Sequence, residues 1–313
     1  MRILCIGDLH GRMPKIHFKD FDAIICIGDV CSDEDFGPYW KLWFKLVKEL
    51  GEDSPKAQEL MLSGLGEMGV KRLEKKSLRE GRKIMEYLNS FGKPVFFIPG
   101  NWDQSEGKSG IKNPSTDNYN SFKSALDSWL GDKINPLLIK GLKNIKDCQF
   151  KLQKYQGYDI IGYGLSNTYE NPKLRKNLKK IPKQKLSRLK KSYNKLINKL
   201  EDTYNKRNGK APTIFLTHNV PYKSKLDILN NKESFAHNKN MGSTVARKFC
   251  DKHQPLLCIG GHMHEHFGKK KLQKTTIINV GFGSYVNTLI ELDKGKIKKI
   301  KFWDGKNKYK IKK

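Results

Sequence analysis

The amino-acid sequence predicts an α/β fold in which strands and helices alternate. Short apolar runs rich in Ile, Val, Leu, Phe and Cys recur along the chain, and each ends at Gly, Pro, Asn or His. Runs this short and continuously apolar are typical of strands that are covered on both faces. Helical patterns lie between several of them, and this alternation is typical of a layered α/β fold. The predicted strands are residues 2–7, 22–28, 94–99, 158–162, 213–217, 255–260 and 275–280.

The C-terminal third contains a predicted helix followed by strands. The helix covers Ser243–His253, directly before the strand that includes Leu256. Residues 275–303 show β-like runs separated by Gly281-Phe282-Gly283 and by Lys294-Gly295. Short runs divided by glycine turns predict consecutive antiparallel strands.

Two segments, 40–91 and 173–210, are predicted to be helical insertions in a single domain that spans residues 1–313. The second segment is strongly basic. Its apolar residues recur at alternating steps of three and four, which places them on one face of a helix. We expect this stripe to pack on the body of the domain or on the first insertion. The stripe consists of Leu186, Leu189, Tyr193, Leu196 and Leu200.

The chain of 313 residues carries a formal net charge of +29, from 61 basic and 32 acidic residues. So large a positive charge favours polyanionic partners such as nucleic acid or phosphorylated substrates. The basic face of the second insertion and the Lys-rich stretch 294–313 are the candidate surfaces. Solvated surface is the alternative explanation for both, and a bias towards Lys codons would give the same composition.

The N-terminus and the cysteines indicate the compartment. No signal-peptide pattern precedes the first predicted strand, and no apolar stretch is long enough to span a bilayer. We therefore expect a cytoplasmic protein with no membrane partner. The six cysteines form no Cys-x-x-Cys pair, so we expect buried thiols rather than disulfides or zinc ligands. The sequence gives no indication of the oligomeric state.

Potential metal ligands follow five of the predicted strands. In open α/β sheets the carboxyl ends of the strands form the crevice where ligands bind. Each motif alone is a weak signal, because Gly-Asp and Gly-Asn often mark turns. Together they deliver two Asp, one Asn and four His to one edge of the fold. The motifs are Asp8-Leu9-His10, Gly28-Asp29, Gly100-Asn101, Thr217-His218 and Gly261-His262-Met263-His264.

The identity and order of these motifs resemble those of the calcineurin-like metallophosphoesterase superfamily, in particular its small prokaryotic phosphoesterases. That resemblance implies a four-layer α/β/β/α sandwich of two mixed sheets, here with helical insertions. It also implies two metal sites that share one bridging carboxylate, Asp29. The ligands implied for one metal are Asp8, His10 and His264, and those for the other are Asn101, His218 and His262.

The donor set suits two divalent metal ions. Mixed imidazole and oxygen ligands favour Mn²⁺, with Fe, Zn²⁺ and Ni²⁺ as alternatives. Two such cations can share a hydroxide that attacks phosphorus in line with the leaving group, and they neutralise both oxygens of the displacement. We therefore expect a dinuclear-metal-dependent phosphoesterase that acts on a phosphorylated small molecule.

The sequence departs from the family pattern at Trp102, where the family commonly has a His that stabilises or protonates the leaving group. An indole cannot act as an acid. Asp103 and His266 are candidate proton donors beside Asp29, with solvent or metal-bound water as the default. The missing His favours substrates with good leaving groups, so phosphodiesters are preferred over phosphomonoesters.

Two other functions stay open. A metal-dependent nuclease would hold a nucleic-acid backbone with the basic surface while the metal site cuts it. A non-catalytic metal-binding scaffold would keep the fold as an interaction surface.

Overall fold

The computed structural model describes residues 1–50, 60, 66–103, 136–166, 168–174, 183–232, 234 and 236–303. In this part of the chain the strands form two mixed sheets of six strands each. In spatial order, the first sheet contains β12 (Lys296–Trp303), β11 (Asn287–Asp293), β1 (Arg2–Ile6), β2 (Ala23–Cys26), β3 (Val95–Phe97) and β4 (Ile145–Asp147). The second sheet contains β5 (Leu152–Tyr155), β6 (Tyr158–Tyr163), β7 (Thr213–Asn219), β8 (Leu257–Gly261), β10 (Thr275–Asn279) and β9 (Gly268–Leu272).

Parallel strands form the middle of both sheets. In the first sheet β1, β2, β3 and β4 run parallel to one another, and β11 pairs antiparallel with β1. In the second sheet β6, β7, β8 and β10 are parallel, with β5 and β9 antiparallel at the two edges. The parallel strands therefore present their carboxyl ends at one side of the molecule.

Helices cover the outer face of each sheet. The described helices are α1 (Gly37–Leu50), α2 (Gly66–Ser90), α3 (Pro136–Ile139), α4 (Lys183–Asn205) and α5 (Thr244–His253), with 3₁₀ turns at Glu34–Phe36 and Pro172–Leu174. Parallel neighbours need a crossover connection, usually a helix. In this fold α1 and α2 lie between β2 and β3, and α4 lies between β6 and β7.

Three apolar clusters define the layers. Ile3 and Ile25 of the first sheet pack against Ile214 and Ile259 of the second in the central cluster. A second cluster joins α2 to the outer face of the first sheet, and a third joins α4 and α5 to the outer face of the second. The order helix, sheet, sheet, helix confirms the four-layer sandwich.

The two segments predicted as helical insertions, 40–91 and 173–210, contribute helices to these outer layers. The predicted stripe on α4 is confirmed, because Leu189, Leu196 and Leu200 are buried against the second sheet. Lys190 and Lys191 on the opposite face are exposed. The described residues of 40–91 are also mostly helical, whereas 51–59, 61–65 and 175–182 lie outside the described residues.

The seven predicted strands are confirmed, but the prediction for residues 275–303 was partly wrong. β11 and β12 form the expected hairpin, with Lys294 (φ 45°) and Gly295 (φ 76°) at the turn. β10 and β11, however, lie in different sheets. The segment between them passes from the second sheet to the first, and its Gly283 N–H donates to the Gly7 carbonyl at 2.8 Å. A period-two pattern identifies a strand but does not say which sheet it joins.

The six cysteines lie in the interior of the fold. All six cysteines are buried free thiols, as expected, and burial raises the pKa of the Cys5 thiol far above its ordinary value. Among the described helices, none combines the length and apolar character that crossing a membrane requires.

Candidate metal centre

The predicted ligands come together at the carboxyl ends of the parallel strands. Asp8 follows β1, Asp29 follows β2, and His218 lies near the end of β7. His262 is the first residue after β8. The ligand atoms form two groups of three, within each of which all atoms lie within 4.8 Å of one another. These groups are Asp8, His10 and His264, and Asp29, His218 and His262.

The group of Asp8, His10 and His264, named here the open group, faces solvent on one side. The Nε2 atoms of His10 and His264 are 3.2 Å apart. His264 Nε2 lies 3.7 Å from Asp8 Oδ1, and its side chain is 37% exposed. Two imidazole nitrogens and a carboxylate oxygen that converge in this way form a donor set for one divalent cation.

The group of Asp29, His218 and His262, named here the buried group, lies deeper between the sheets. His218 Nε2 is 3.3 Å from Asp29 Oδ2, and both side chains are almost fully buried. The same His218 nitrogen lies 2.9 Å from Oδ1 of Asn101. Asn101 therefore lies beside the buried group, and its role as a metal ligand stays a prediction.

Asp29 lies between the two groups. Its Oδ2 is 3.3 Å from His218 Nε2 and 3.6 Å from His10 Nε2. Its other oxygen, Oδ1, accepts a hydrogen bond of 2.9 Å from the Trp102 backbone N–H. One carboxylate oxygen is therefore held by the backbone, while the other faces a histidine from each group.

The backbone is strained at the ligands themselves. Asp8, His10, Asp29 and His262 have φ values of 52°, 47°, 51° and 68°. This left-handed region is sparsely populated by residues other than glycine, and it persists only where the surrounding structure requires it. The sharp turns after the strands point these four side chains back across the strand ends.

Glycines before the ligands allow the two strand-end loops to touch. A Cβ atom at Gly28 would lie 2.0 Å from the Gly100 nitrogen, and one at Gly100 would lie 2.0 Å from Asp29 Oδ1. Only glycine fits at either position, so the Gly-Asp and Gly-Asn motifs set a close approach between neighbouring loops.

Two of the four histidine rings, those of His218 and His10, have their Nδ1 atom close to an oxygen. His218 Nδ1 lies 2.9 Å from the Ile27 carbonyl oxygen. His10 Nδ1 lies 3.1 Å from Asp33 Oδ2. Such partners fix the ring so that the remaining nitrogen points at a metal. The sequence did not predict a role for Asp33, because it stands among other acids near the start of a helix and no spacing rule links it to His10.

The chemistry of these residues fits two divalent cations. Asp8 Oδ1 is buried and, among the described residues, has no hydrogen-bond partner. A buried carboxylate oxygen without a partner is costly, and a cation would satisfy it. Its Oδ2 accepts a hydrogen bond from the His262 N–H at 2.9 Å, which holds the carboxylate in place.

Burial and mutual charge interactions shift the pKa values within the buried group. Burial alone would lower the pKa of His218, but the Asp29 carboxylate outweighs it and raises the pKa to about 9. Burial and the neighbouring His218 lower the pKa of His262 to about 4. Burial opposes ionisation of Asp29, yet His218 and His10 hold its pKa below the ordinary value.

Backbone N–H groups surround the carboxylate of Asp103. Its Oδ1 accepts backbone N–H groups from Val30 at 2.8 Å and Cys31 at 3.0 Å, and its Oδ2 accepts from Gly100 at 2.7 Å. The side chain is fully buried. A carboxylate that accepts three backbone hydrogen bonds away from solvent ties two loops together, and the role of Asp103 as proton donor stays a prediction.

The other candidate donor and the unusual tryptophan lie beside the site. His266 is half-buried and its Nε2 lies 2.5 Å from the Ile228 carbonyl oxygen, to which it donates. Its role as proton donor stays a prediction. Trp102 packs on Phe36, with ring centroids 5.4 Å apart, and on the apolar cluster beneath the first sheet.

An aromatic wall covers one side of the open group. The Phe282 ring lies parallel to His10 at 5.9 Å and edge-on to His264 at 5.0 Å. The guanidinium of Arg12 lies 5.3 Å from the centre of the same ring. Tyr285, which is 59% exposed, stacks on Phe282 at 5.5 Å. The Gly281-Phe282-Gly283 turn therefore packs an aromatic ring against two predicted ligands, His10 and His264.

Comparison with solved structures supports the fold. One crystal structure superposes with a TM-score of 0.53 at 15% identity, covering 96% of this chain and 98% of the other. Phosphopantetheinyl hydrolase (PptH) from Mycobacterium tuberculosis gives 0.45 at 11% identity, with 90% and 89% covered. A dimetal phosphatase from Danio rerio gives 0.41 at 9% identity, with 94% and 93% covered. Likenesses this distant concern the fold alone.

The family assignment comes from the sequence. A search of curated proteins finds no match to the chain. The family model described as calcineurin-like phosphoesterase matches residues 1–266, which include every ligand of both groups. The chain therefore belongs to the calcineurin-like phosphoesterase family.

Proposed function

We propose that this chain is a dinuclear-metal-dependent phosphoesterase that cleaves phosphodiester bonds, with phosphomonoesters as the alternative substrates. The observation that carries the proposal is the position of Asp29. A single oxygen, Oδ2, lies within 3.6 Å of His10 Nε2 in the open group and 3.3 Å of His218 Nε2 in the buried group. A carboxylate in this position can bridge two cations and offset part of their charge.

The residues of the two groups would hold the metals. The open group would hold one cation. The buried group, together with Asn101, would hold the other. Asp29 would be a ligand of both. When bound, the two divalent ions supply Lewis acidity and make water nucleophilic at neutral pH. Imidazole and oxygen donors favour Mn²⁺, with Fe, Zn²⁺ and Ni²⁺ as alternatives.

The chain itself contributes orientation. The Ile27 carbonyl and Asp33 hold the Nδ1 atoms of His218 and His10, so that both Nε2 atoms face Asp29. The Trp102 N–H holds Oδ1 of Asp29, which leaves Oδ2 for the two groups. Ligands held in this way need little rearrangement when the metals and substrate bind, and that preorganisation lowers the barrier.

The preference for diesters rests on the missing proton donor. Trp102 occupies the position where a histidine is common in the family, and the Asp103 carboxylate is taken up by three backbone N–H groups. Protonation of the leaving group is then left to His266 or to solvent. Substrates whose leaving groups need little protonation would react fastest, as in activated phosphodiesters. We propose a phosphorylated small molecule in the cytoplasm as the substrate.

The decisive experiment replaces Asp29 in the Mn²⁺-reconstituted protein. Asp29→Asn keeps the shape but loses the bridging charge, so we expect turnover of bis-p-nitrophenyl phosphate to fall by about 10³-fold or more. Bound metal should fall from two ions per chain towards one or none. Asp20→Asn, at a surface carboxylate whose side chain is 79% exposed, is the matched control and should leave both values unchanged.

Two results would overturn the proposal. Full activity with two bound metals in Asp29→Asn would remove Asp29 from the mechanism. The wild-type protein could also bind two metals and hydrolyse none of the four substrates: bis-p-nitrophenyl phosphate, p-nitrophenyl phosphate, cyclic nucleotides and single-stranded RNA. That result would favour the non-catalytic metal-binding scaffold.

A further inference from the structure

Two exposed side chains border the aromatic ring that covers the open group. Phe282 packs on the rings of His10 and His264, with centroids 5.9 and 5.0 Å apart. The guanidinium of Arg12 lies 5.3 Å from the centre of the Phe282 ring, and the Tyr285 ring stacks on it at 5.5 Å. Arg12 and Tyr285 both reach solvent. Arg12, Phe282 and Tyr285 are named here the rim cluster, because they place a cation and an aromatic surface beside two predicted metal ligands.

The charge of Arg12 is not neutralised by an acid. Among the residues that the structure describes, none forms an ion pair with Arg12. Two other arginines differ, since Nε of Arg82 lies 2.8 Å from Glu86 and Nε of Arg247 lies 2.9 Å from Asp251. A guanidinium attracted to an aromatic ring keeps N–H donors for an anion such as phosphate. Arg12 is therefore available to bind an anionic oxygen at the edge of the open group.

The ring of Tyr285 is not needed to form the turn that carries it. The backbone N–H groups of Tyr285 and Val286 donate to the Phe282 carbonyl at 3.0 and 2.9 Å, and the Gly283 N–H donates to Gly7. Val286 anchors the turn, because its side chain is buried. Tyr285 itself is 59% exposed, more than any other large apolar side chain in the described part of the chain. Its ring therefore offers a surface on which a ligand can stack.

A ligand of the rim cluster must carry both an anion and a flat ring. Inorganic phosphate, polyphosphate and alkyl phosphate esters would use Arg12 but leave Tyr285 without a partner. A nucleoside phosphate supplies both, because its base can stack on a tyrosine while its phosphate binds a guanidinium. The spacing also fits. One ring, that of Phe282, separates Tyr285 from His264, and one sugar ring separates the base from the phosphate.

We propose that the rim cluster binds the nucleoside portion of a nucleoside phosphodiester, with the base stacked on Tyr285 and a non-bridging phosphate oxygen bound by Arg12. Phe282 is the positioning residue, because it contacts both side chains and two predicted ligands. The inference rests on the proposed phosphoesterase function and names the substrate class of that site. Stacking tolerates every base, so selection among bases should be weak.

The test compares two diesters that share one leaving group, thymidine 5′-p-nitrophenyl phosphate and methyl p-nitrophenyl phosphate, with the Mn²⁺-reconstituted protein. Tyr285→Leu should lower kcat/KM for the thymidine ester by about 10-fold, through a higher KM, because one base–ring stack is lost. The same variant should hydrolyse the methyl ester as the wild type does. Tyr285→Phe retains the ring and should preserve kcat/KM for both esters.

Two outcomes with Tyr285→Leu would overturn the nucleoside assignment. Unchanged kcat/KM for the thymidine ester would show that no base stacks on this ring. Equal losses for the two esters would show that Tyr285 contacts the p-nitrophenyl leaving group, which both substrates carry.

Arg12 should affect both esters, because the phosphate is common to them. Arg12→Gln should raise KM by about 10-fold for each, through the loss of a charge-assisted hydrogen bond. Arg12→Lys keeps the charge without the fork of donors and should give an intermediate KM. Arg188→Gln changes an exposed arginine on α4 and should leave both values as in the wild type. An unchanged KM for both esters in Arg12→Gln would remove Arg12 from the site.

Binding without turnover separates this inference from the catalytic proposal. Isothermal titration calorimetry of the Mn²⁺-loaded protein should show thymidine 5′-monophosphate binding about 10-fold more weakly to Tyr285→Leu than to the wild type. Methyl phosphate should bind both proteins equally. If this difference is found but neither ester is hydrolysed, the phosphoesterase proposal fails and the rim cluster stands. If both esters are hydrolysed but the wild type binds thymidine 5′-monophosphate no more tightly than methyl phosphate, the nucleoside assignment is wrong and the phosphoesterase stands.

Discussion

The open group and the buried group use similar donors in different surroundings. His264 of the open group is 37% exposed, whereas His218 of the buried group has no exposed surface. The Nδ1 of His218 contacts a backbone carbonyl, that of Ile27, and the Nδ1 of His10 contacts a side-chain carboxylate, that of Asp33. His218 is therefore oriented by the backbone, and His10 lies against one side chain, Asp33, that is 35% exposed.

This difference predicts different consequences for mutation. A ligand that also pairs with a buried charge contributes to folding as well as to metal binding, so its loss affects both. A ligand at the solvent edge contributes to metal binding with little effect on the fold. The buried group should therefore behave as part of the core, and the open group as the position where metal affinity can be tuned.

The largest expected effect separates His218 from His264. His218→Asn leaves the buried Asp29 carboxylate without the nearer of its two histidine partners, so the protein in EDTA should lose about 3 kcal/mol of its free energy of unfolding in urea. Because Asp29 serves both groups, bound metal should also fall to less than one ion per chain. His264→Asn should retain wild-type stability without metal and keep one ion. Equal destabilisation by the two variants would show that the groups do not differ in this way.

A smaller effect is expected at Asp33. Asp33→Asn removes the carboxylate beside His10 Nδ1 but leaves every ligand in place, so affinity for one Mn²⁺ should fall by about 10- to 100-fold. Isothermal titration calorimetry with Mn²⁺ should show the lower affinity only in the weaker of the two binding steps. Asp35→Asn changes a nearby carboxylate that pairs with Lys76, and it should bind both ions normally. A change in the tighter step would assign Asp33 to the buried group instead.

The smallest expected effect is at Phe282. Phe282→Leu removes the ring that packs on His10 and His264, and an aromatic pair of this kind contributes about 0.5–1.5 kcal/mol. The Mn²⁺ concentration for half-maximal activity should rise by about 2- to 10-fold, with turnover at saturating metal preserved. Phe36→Leu, which disturbs the packing of Trp102 near the buried group, is the control. A fall in turnover at saturating Mn²⁺ would mean that Phe282 contacts the substrate.

Several features of the site could be predicted from the order of residues alone. The ligands stand directly after apolar runs, and buried parallel strands bring their carboxyl ends to one edge, so proximity of Asp8, Asp29 and His218 followed from the strand pattern. The glycines before Asp29 and Asn101 were visible as motifs. Their function was not, because the approach of Gly28 to Gly100 joins loops that are far apart along the chain.

Other features depend on contacts through space. Asp103 is a predicted proton donor, and the pattern around it did not indicate that three backbone N–H groups from two loops bond to its oxygens. Asp33 carried no recognisable pattern, yet it lies beside His10. β9 was not predicted as a strand because its three lysines give it no apolar run. Hydrogen-bond partners and edge pairing are decided by geometry, which a local pattern does not encode.

The sequence by itself determined the types of ligand, their order along the chain and the strands that carry them, because residue chemistry and apolar periodicity are local properties. Only the tertiary structure decided that β10 and β11 belong to different sheets and that Asp29 Oδ2 faces both groups. Each of these depends on how distant segments pack, since burial and distance are properties of the folded chain as a whole.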